Sequence, residues 1–286
     1  MSNTDSGSNA LLRLRAHYNS LRSSEKRIAD YILANPEKTI YQSITMLAEI
    51  VKVSETSVIR LCKAIGYSGF QDFKINIAKC TIEPRQQIHE EVLESDSISV
   101  ITKKVMTANI KAINDTMEFI DPKQMQLAVD AISKAHRLEF YGVGGSGAVA
   151  VDAQHKFFKY CNSCIAYSDP HMQAMSAATM KPGDIAFGIS HTGNTKDTVE
   201  NLTIASKVGA TTICITGGMK SPITKVCDIV LLIVSKEQAY KPEPMSSRIA
   251  ALSIIDVLAT AVAFTRPDDV LQNLQKTRKS ISTKRY

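Results

Sequence analysis

Across residues 138–234, short apolar runs alternate with stretches of helical spacing, and this alternation restricts the possible folds more than any other feature of the chain. Strands are expected near 138–142, 164–168, 185–190, 211–216 and 228–233. A parallel neighbour is reached only through a crossover, so strands separated by helices build a parallel sheet with helices on both faces. The fold class for this part is therefore α/β, a doubly wound parallel sheet. Two more helices are expected to follow it, at about 246–264 and 268–282.

The first 80 residues read differently, as short helices separated by brief turns, with eleven Lys/Arg against seven Asp/Glu. Ser23, Ser24 and Glu25 offer a cap for a helix whose apolar face is Ile28, Ala29, Ile32 and Leu33, and Asn35-Pro36 stops it. Residues 81–96 mix Pro84, paired glutamines and acidic residues without apolar periodicity, which reads as a linker. A longer amphipathic helix is expected from 97 to 119. A chain of 286 residues with 44% hydrophobic content exceeds one typical domain. The division expected is an all-α domain at 1–80, a linker at 81–96 and an α/β domain at 97–286.

No stretch is read as approaching the ~20 apolar residues that span a bilayer. Residues 1–9 are polar, without the apolar core of a signal peptide. A cytoplasmic protein without membrane partners is expected. The six cysteines fall mostly within apolar patterns, as buried thiols do, and only Cys161 and Cys164 have metal or redox spacing. No metal and no cofactor is expected. The net charge of +6 is modest, so its concentration in the first 80 residues matters more than its size.

Two loops carry the chemistry. The strand expected at 185–189 ends in Ser190, His191, Thr192, Gly193, Asn194 and Thr195, just before a helical pattern. The strand near 138–141 ends in Gly142, Val143, Gly144, Gly145, Ser146 and Gly147, before another. Hydroxyls and glycine-exposed N–H groups at helix N-termini receive an anion, and a pair of such loops at the carboxyl ends of parallel strands points to a small phosphorylated ligand. Two other readings stand beside this one. Ser/Thr-rich turns commonly cap helices, and Gly142, Gly144 and Gly147 also satisfy a dinucleotide fingerprint with Asp169 as the ribose-binding acid.

In the helical part, residues 44–51 form a short helix with a small inner alanine, Ala48, followed by Lys52, Val53 and Ser54. Ser54 is placed to cap a second helix with apolar side Val58, Leu61, Cys62 and Ile65. Thr56, Ser57, Arg60 and Lys63 fall on its outer side, where a recognition helix presents polar residues to base edges and basic ones to phosphate. A helical hairpin with a solvated basic face has the same spacing.

The run 54–74, SETSVIRLCKAIGYSGFQDFK, resembles the signature of the RpiR family of bacterial transcriptional regulators, and residues 24–29 and the two loops match the same architecture. One departure is Lys52, where family members often carry glycine. The resemblance implies a helix-turn-helix domain joined to a sugar isomerase (SIS) domain. It implies ligand contacts from Ser146, Ser190, Thr192 and Thr195, with Gly145, His191 and Asn194 in the same loops. His171, after the second strand, is expected either on the ligand or as a helix cap, and Arg248 on the ligand or a neighbouring subunit. The function implied is regulation of carbohydrate metabolism, amino-sugar metabolism included, through operator DNA and a phosphosugar effector. A homodimer or dimer of dimers is implied, with no catalytic residue. The competing reading is an aldose–ketose isomerase using His191, His171 or Glu200.

Overall fold

The computed structural model describes residues 10–81, 92–160, 163–235, 245–265 and 267–282, and its chain divides into two compact units, one led by residues 1–105 and one made of residues 106–237 and 243–286.

The first unit is helical: α1 (Ala10–His17), α2 (Ser23–Ala34), α3 (Pro36–Tyr41), α4 (Ile44–Val51), α5 (Glu55–Ala64) and α6 (Phe70–Thr81). Asn35-Pro36 ends α2 and also starts α3, because a proline at the first helical position loses no hydrogen bond. The start of α2 differs from expectation. Its N-cap is Arg22, whose N–H donates to the Glu25 carboxylate at 2.9 Å, and Ser23 is already helical. One core joins the unit, built on Leu14, Ile28, Ile32, Leu47, Leu61 and Phe73. Cys62 belongs to it, its thiol pushed up to about 12 by burial.

Within that core lies a charge. Lys74 on α6 is 1% exposed, and its ammonium donates to the Gln42 carbonyl at 2.9 Å while lying over the Phe70 ring. Burial lowers its pKa from 10.5 to about 8.

The second unit holds α8 (Pro122–Lys134), β1 (Leu138–Tyr141), α9 (Gly145–Phe157), β2 (Cys164–Tyr167), α10 (Pro170–Ala177), β3 (Ile185–Ile189), α11 (Lys196–Lys207), β4 (Thr211–Thr216), β5 (Ile229–Leu232), α12 (Ser246–Thr265) and α13 (Pro267–Ile281). It is preceded by α7 (Ile98–Phe119), within which the division of units falls. All strands pair in parallel, in the order β2-β1-β3-β4-β5. Phe140, Phe187 and Ile213 face α8, α9 and α12 on one side of the sheet. Tyr141, Ala186 and Cys214 face α10 and α11 on the other. On β1 the buried Glu139 carboxylate accepts from Arg137 Nε at 2.6 Å, Tyr141 Oη at 2.6 Å and Ser176 Oγ at 2.8 Å, which ties the strand to α10. Desolvation and that bond raise the Tyr141 phenol above its ordinary range.

This order places the reversal of winding between β1 and β3. The chain leaves β1 for α9 on one face and leaves β3 for α11 on the other, opening a crevice at the strand ends. One expectation is corrected here: α12 is 20 residues long and apolar enough to cross a membrane by length and composition. In this fold it serves the core instead, burying Ala250, Ile254, Ile255, Leu258 and Val262 among others while carrying Arg248 and Asp256. The linker expected at 81–96 lies partly outside the described residues, as does Cys161 of the Cys161/Cys164 pair.

Lys74 generates a pH prediction. Its folded pKa lies below the unfolded one, so between about pH 8 and 10.5 the unfolded chain holds a proton that the folded chain has released. Stability therefore rises with pH across that window, while below pH 8 the cost of burying the charge is fully present. Amide-exchange protection of α3 and α6, compared at each pH with Lys74→Met, should shift in favour of the wild type from pH 7 to 10, by at most about 3 kcal/mol. A difference that does not change with pH would show that the Lys74 amine keeps its ordinary pKa in the folded protein and stays charged across this range.

Candidate functional site

A shallow cavity open to solvent lies at the carboxyl ends of the strands in the second unit. The loop after β1 delivers Gly145 and Ser146 to its wall in the first turn of α9, and Ser247 and Arg248 come from the first turn of α12. His191 enters from the end of β3. The remaining wall is apolar: Val149, Ile189, Ile215, Ile233 and Ala251. Two helix N-termini thus meet at one cavity beside a guanidinium. The first N–H groups of a helix lack partners within it and carry its positive end, so the arrangement attracts an anion.

The loop 190–195 is organised differently from its sequence-based reading. Ser190 is 1% exposed; its Oγ accepts from Gly193 N–H at 3.1 Å and lies 3.0 Å from Thr195 Oγ1. Thr192 Oγ1 accepts from Asn194 N–H at 3.3 Å, and the Asn194 amide donates to the Thr192 carbonyl at 3.0 Å. These four expected ligand residues are therefore bonded to one another, and of the six residues only His191 lines the cavity. Two buried acceptors in this region, Asn194 Oδ1 and Thr198 Oγ1, make no hydrogen bond among the described residues.

A neighbouring loop holds this one in place, and nothing in the sequence-based reading included it. Gly193 has φ +67°, and a Cβ there would lie 2.1 Å from Ser221 Oγ. The Gly193 carbonyl accepts from Ile223 N–H at 3.1 Å, and the His191 carbonyl from Gly217 N–H at 2.8 Å. The available signal was Gly217-Gly218 directly after the apolar β4. Ser247 and Ile233 were also missed, each being an ordinary residue whose position depends on the end of a distant element.

Of the other candidates, His171 is outside the site. Its side chain is 95% exposed on α10, on the sheet face opposite α9, and Asp169 caps that helix instead, accepting from Met172 N–H at 2.9 Å. That cap also explains the acid that the dinucleotide reading required. Glu200 is exposed and lies 3.7 Å from Lys196 Nζ, away from the cavity wall.

In the first unit, α4 and α5 form the expected pair. Ser54 caps α5, its Oγ accepting from Ser57 N–H at 3.2 Å. The turn depends on Lys52, which takes a left-handed conformation at φ 56°, ψ 53°. Lys52 therefore does the work expected of glycine, at a steric cost of about 1–2 kcal/mol for a side-chain-bearing residue. Ser54, Thr56, Arg60 and Lys63 are exposed. Ser57 is corrected: it is 5% exposed, and its Oγ accepts from Arg60 Nη2 at 3.2 Å and lies 3.0 Å from Ser54 Oγ. It faces inward because it sits one residue before Val58, on the edge of the buried stripe, and it orients Arg60 from there.

Comparison with known proteins finds a separate family match for each of two stretches of the chain. Residues 8–82 match the helix-turn-helix domain of the rpiR family, and residues 131–261 match the SIS domain. An HTH-type transcriptional regulator of Caldanaerobacter subterraneus is 38% identical over 272 residues, covering 95% of this chain and 96% of its own. The HTH-type transcriptional regulator HexR of Pseudomonas aeruginosa is 33% identical, covering 97% of each chain. Among solved structures, the Vibrio vulnificus NanR protein complexed with ManNAc-6P is 26% identical with a TM-score of 0.83, covering 97% of this chain and 99% of that one.

The Gly193–Ser221 contact makes the loop testable. Gly193→Ala adds a methyl group that collides with Ser221 in a conformation unfavourable to L residues, with an expected cost of about 2–3 kcal/mol. Its thermal unfolding should begin several degrees below the wild type, and a second change, Ser221→Gly, should recover part of the loss. An unchanged melting profile for Gly193→Ala would mean that the two loops are not packed as described.

Proposed function

The chain belongs to the rpiR family of helix-turn-helix regulators that carry a SIS domain, and from that premise we propose that it regulates transcription of carbohydrate-metabolism genes, with operator affinity set by a phosphosugar in the second unit. The observation that carries this reading is the meeting of two helix N-termini and Arg248 at one cavity, in a chain that also has the helix-turn-helix pair.

Ser146, Arg248 and the N–H groups of α9 are assigned to the phosphate, since a dianion is best held by converging charged and N–H donors. His191 is assigned to a sugar hydroxyl. Ser190, Thr192, Asn194 and Thr195, which here satisfy one another, are assigned as the second set of ligand donors. The apolar wall of Val149, Ile189 and Ala251 suits an acetamido methyl. With a NanR relative complexed with ManNAc-6P, this supports an N-acetylated amino-sugar phosphate as effector. The full-length relatives are named as regulators, and sensing rather than turnover is assigned to the cavity. Paired half-sites in an inverted repeat, bound by a homodimer or a dimer of dimers, follow from the usual geometry of helix-turn-helix readers.

Operator titrations with and without N-acetylmannosamine 6-phosphate test the assignment. Ser146→Ala and Arg248→Ala should bind operator like the wild type, while the effector concentration required rises roughly ten- to a hundredfold for each, the usual cost of losing a hydrogen bond to a charged group. Variants that respond at wild-type concentrations would move the phosphate elsewhere. Purified protein incubated with the same sugar phosphate should show no aldose–ketose interconversion. Turnover lost in His191→Ala would make it an isomerase.

A further inference from the structure

Four exposed residues of α5 form one strip. Thr56, Ile59, Arg60 and Lys63 fall at positions i, i+3, i+4 and i+7, with Val58, Leu61 and Cys62 buried on the opposite side. Three of the four suit a nucleic-acid surface by charge or hydrogen bonding. Ile59 does not: a β-branched aliphatic side chain, 38% exposed, sits at the centre of the strip with polar or basic neighbours.

The strip is selective in charge as well. The only carboxylate on α5 is Glu55, which lies off the strip and accepts from Thr45 Oγ1 at 2.7 Å. Arg60 and Lys63 set cations beside Ile59 on the same helix, and Ser57 steadies the Arg60 guanidinium from below. The surface therefore fits a polyanion with an apolar group at its centre. In a DNA major groove, the apolar group among the base edges is the C5-methyl of thymine.

We propose that Ile59 is a specificity-determining residue that reads a thymine methyl in each half-site, beside a phosphate contact from Lys63. The inference rests on the DNA-binding reading of the first unit and adds what that unit discriminates. Ile59 offers no hydrogen bond, so its preference has a distinct chemical signature: it depends on one methyl group and is indifferent to the hydrogen-bonding edge of the base.

The experiment removes only that methyl. The full-length protein selects its site from a random-sequence duplex pool, and the selected duplex is resynthesised with deoxyuridine replacing each thymine pair in turn. At one symmetric pair the wild type should lose roughly three- to tenfold in affinity, the size expected for uncovering one apolar group per contact. Ile59→Ala should bind the thymine duplex with a similar loss and show no further loss with deoxyuridine at that pair. Alanine favours the helix at this exposed position, and coincident thermal unfolding of the two proteins checks that the fold is kept. Ile59→Val, which keeps a branched methyl, should retain most of the discrimination. If Ile59→Ala keeps wild-type affinity, or still discriminates thymine from deoxyuridine, the assignment is overturned, as it is if no substitution weakens the wild type. Arg60→Ala separates this from failure of the wider reading. An enriched site weakened by Arg60→Ala but untouched by the methyl deletions refutes Ile59 alone, whereas a pool in which no site is enriched refutes both.

Discussion

The second unit depends on how closely α11 approaches the central strand. At Gly188 on β3, a Cβ would lie 2.4 Å from Leu202 Cδ1 and 3.3 Å from Thr198 Cγ2, so the missing side chain leaves the space into which these two α11 side chains pack. Close packing converts this contact into a fixed height for the first turn of α11. The chain has only residues 190–195 in which to climb from the strand end to the helix, and it does so as a turn whose hydroxyls and amides bond one another. That closure leaves His191 as the residue of this turn on the cavity wall. It also presses Gly193 against Ser221.

A division of labour follows between loop and cavity. Polar groups that bond within the loop define shape, whereas Arg248 and the N-terminal ends of α9 and α12 at the cavity define charge. The apolar wall strengthens this charge by lowering the local dielectric, where a guanidinium and two helix ends act more strongly on an anion than they do in water. Hydroxyl donors in the loop exchange one set of hydrogen bonds for another on meeting a ligand, so their net contribution is smaller than that of a charged contact.

The sheet was legible in the sequence because parallel strands buried on both faces have apolar centres, as 185–189 does throughout and 211–216 does at Ile213, Cys214 and Ile215. The helix-turn-helix pair was legible because Ser54 follows its turn at capping distance from Ser57. The composition of the cavity was less legible. Ser247 and Ile233 reach it through the placement of α12 and the end of β5, which no local pattern encodes. His171 misled because it follows a strand end, as Ser146 does, yet β2 is an edge strand, its helix packs on the opposite face from α9, and Asp169 takes the capping role. Ser57 misled because helical spacing assigns a residue at the margin of the buried stripe to either side, and only its bonds to Ser54 and Arg60 decide. Lys52 shows the converse: backbone geometry that usually calls for glycine is kept by a lysine, held by N–H bonds from Lys52 and Val53 to the last carbonyls of α4.

An effector changes operator affinity only if it binds the DNA-competent and incompetent arrangements unequally, and the factor is the same in both directions. A hundredfold change corresponds to about 2.7 kcal/mol, within the range of one or two hydrogen bonds to a charged group. The regulator therefore needs no wholesale rearrangement of its second unit. A single contact such as that assigned to Arg248, formed in one arrangement and lost in the other, is of sufficient size. Arg248 is suited to this because it is exposed at the first turn of a helix whose remaining length is committed to the core: the anchor stays fixed while the guanidinium is free to find the ligand.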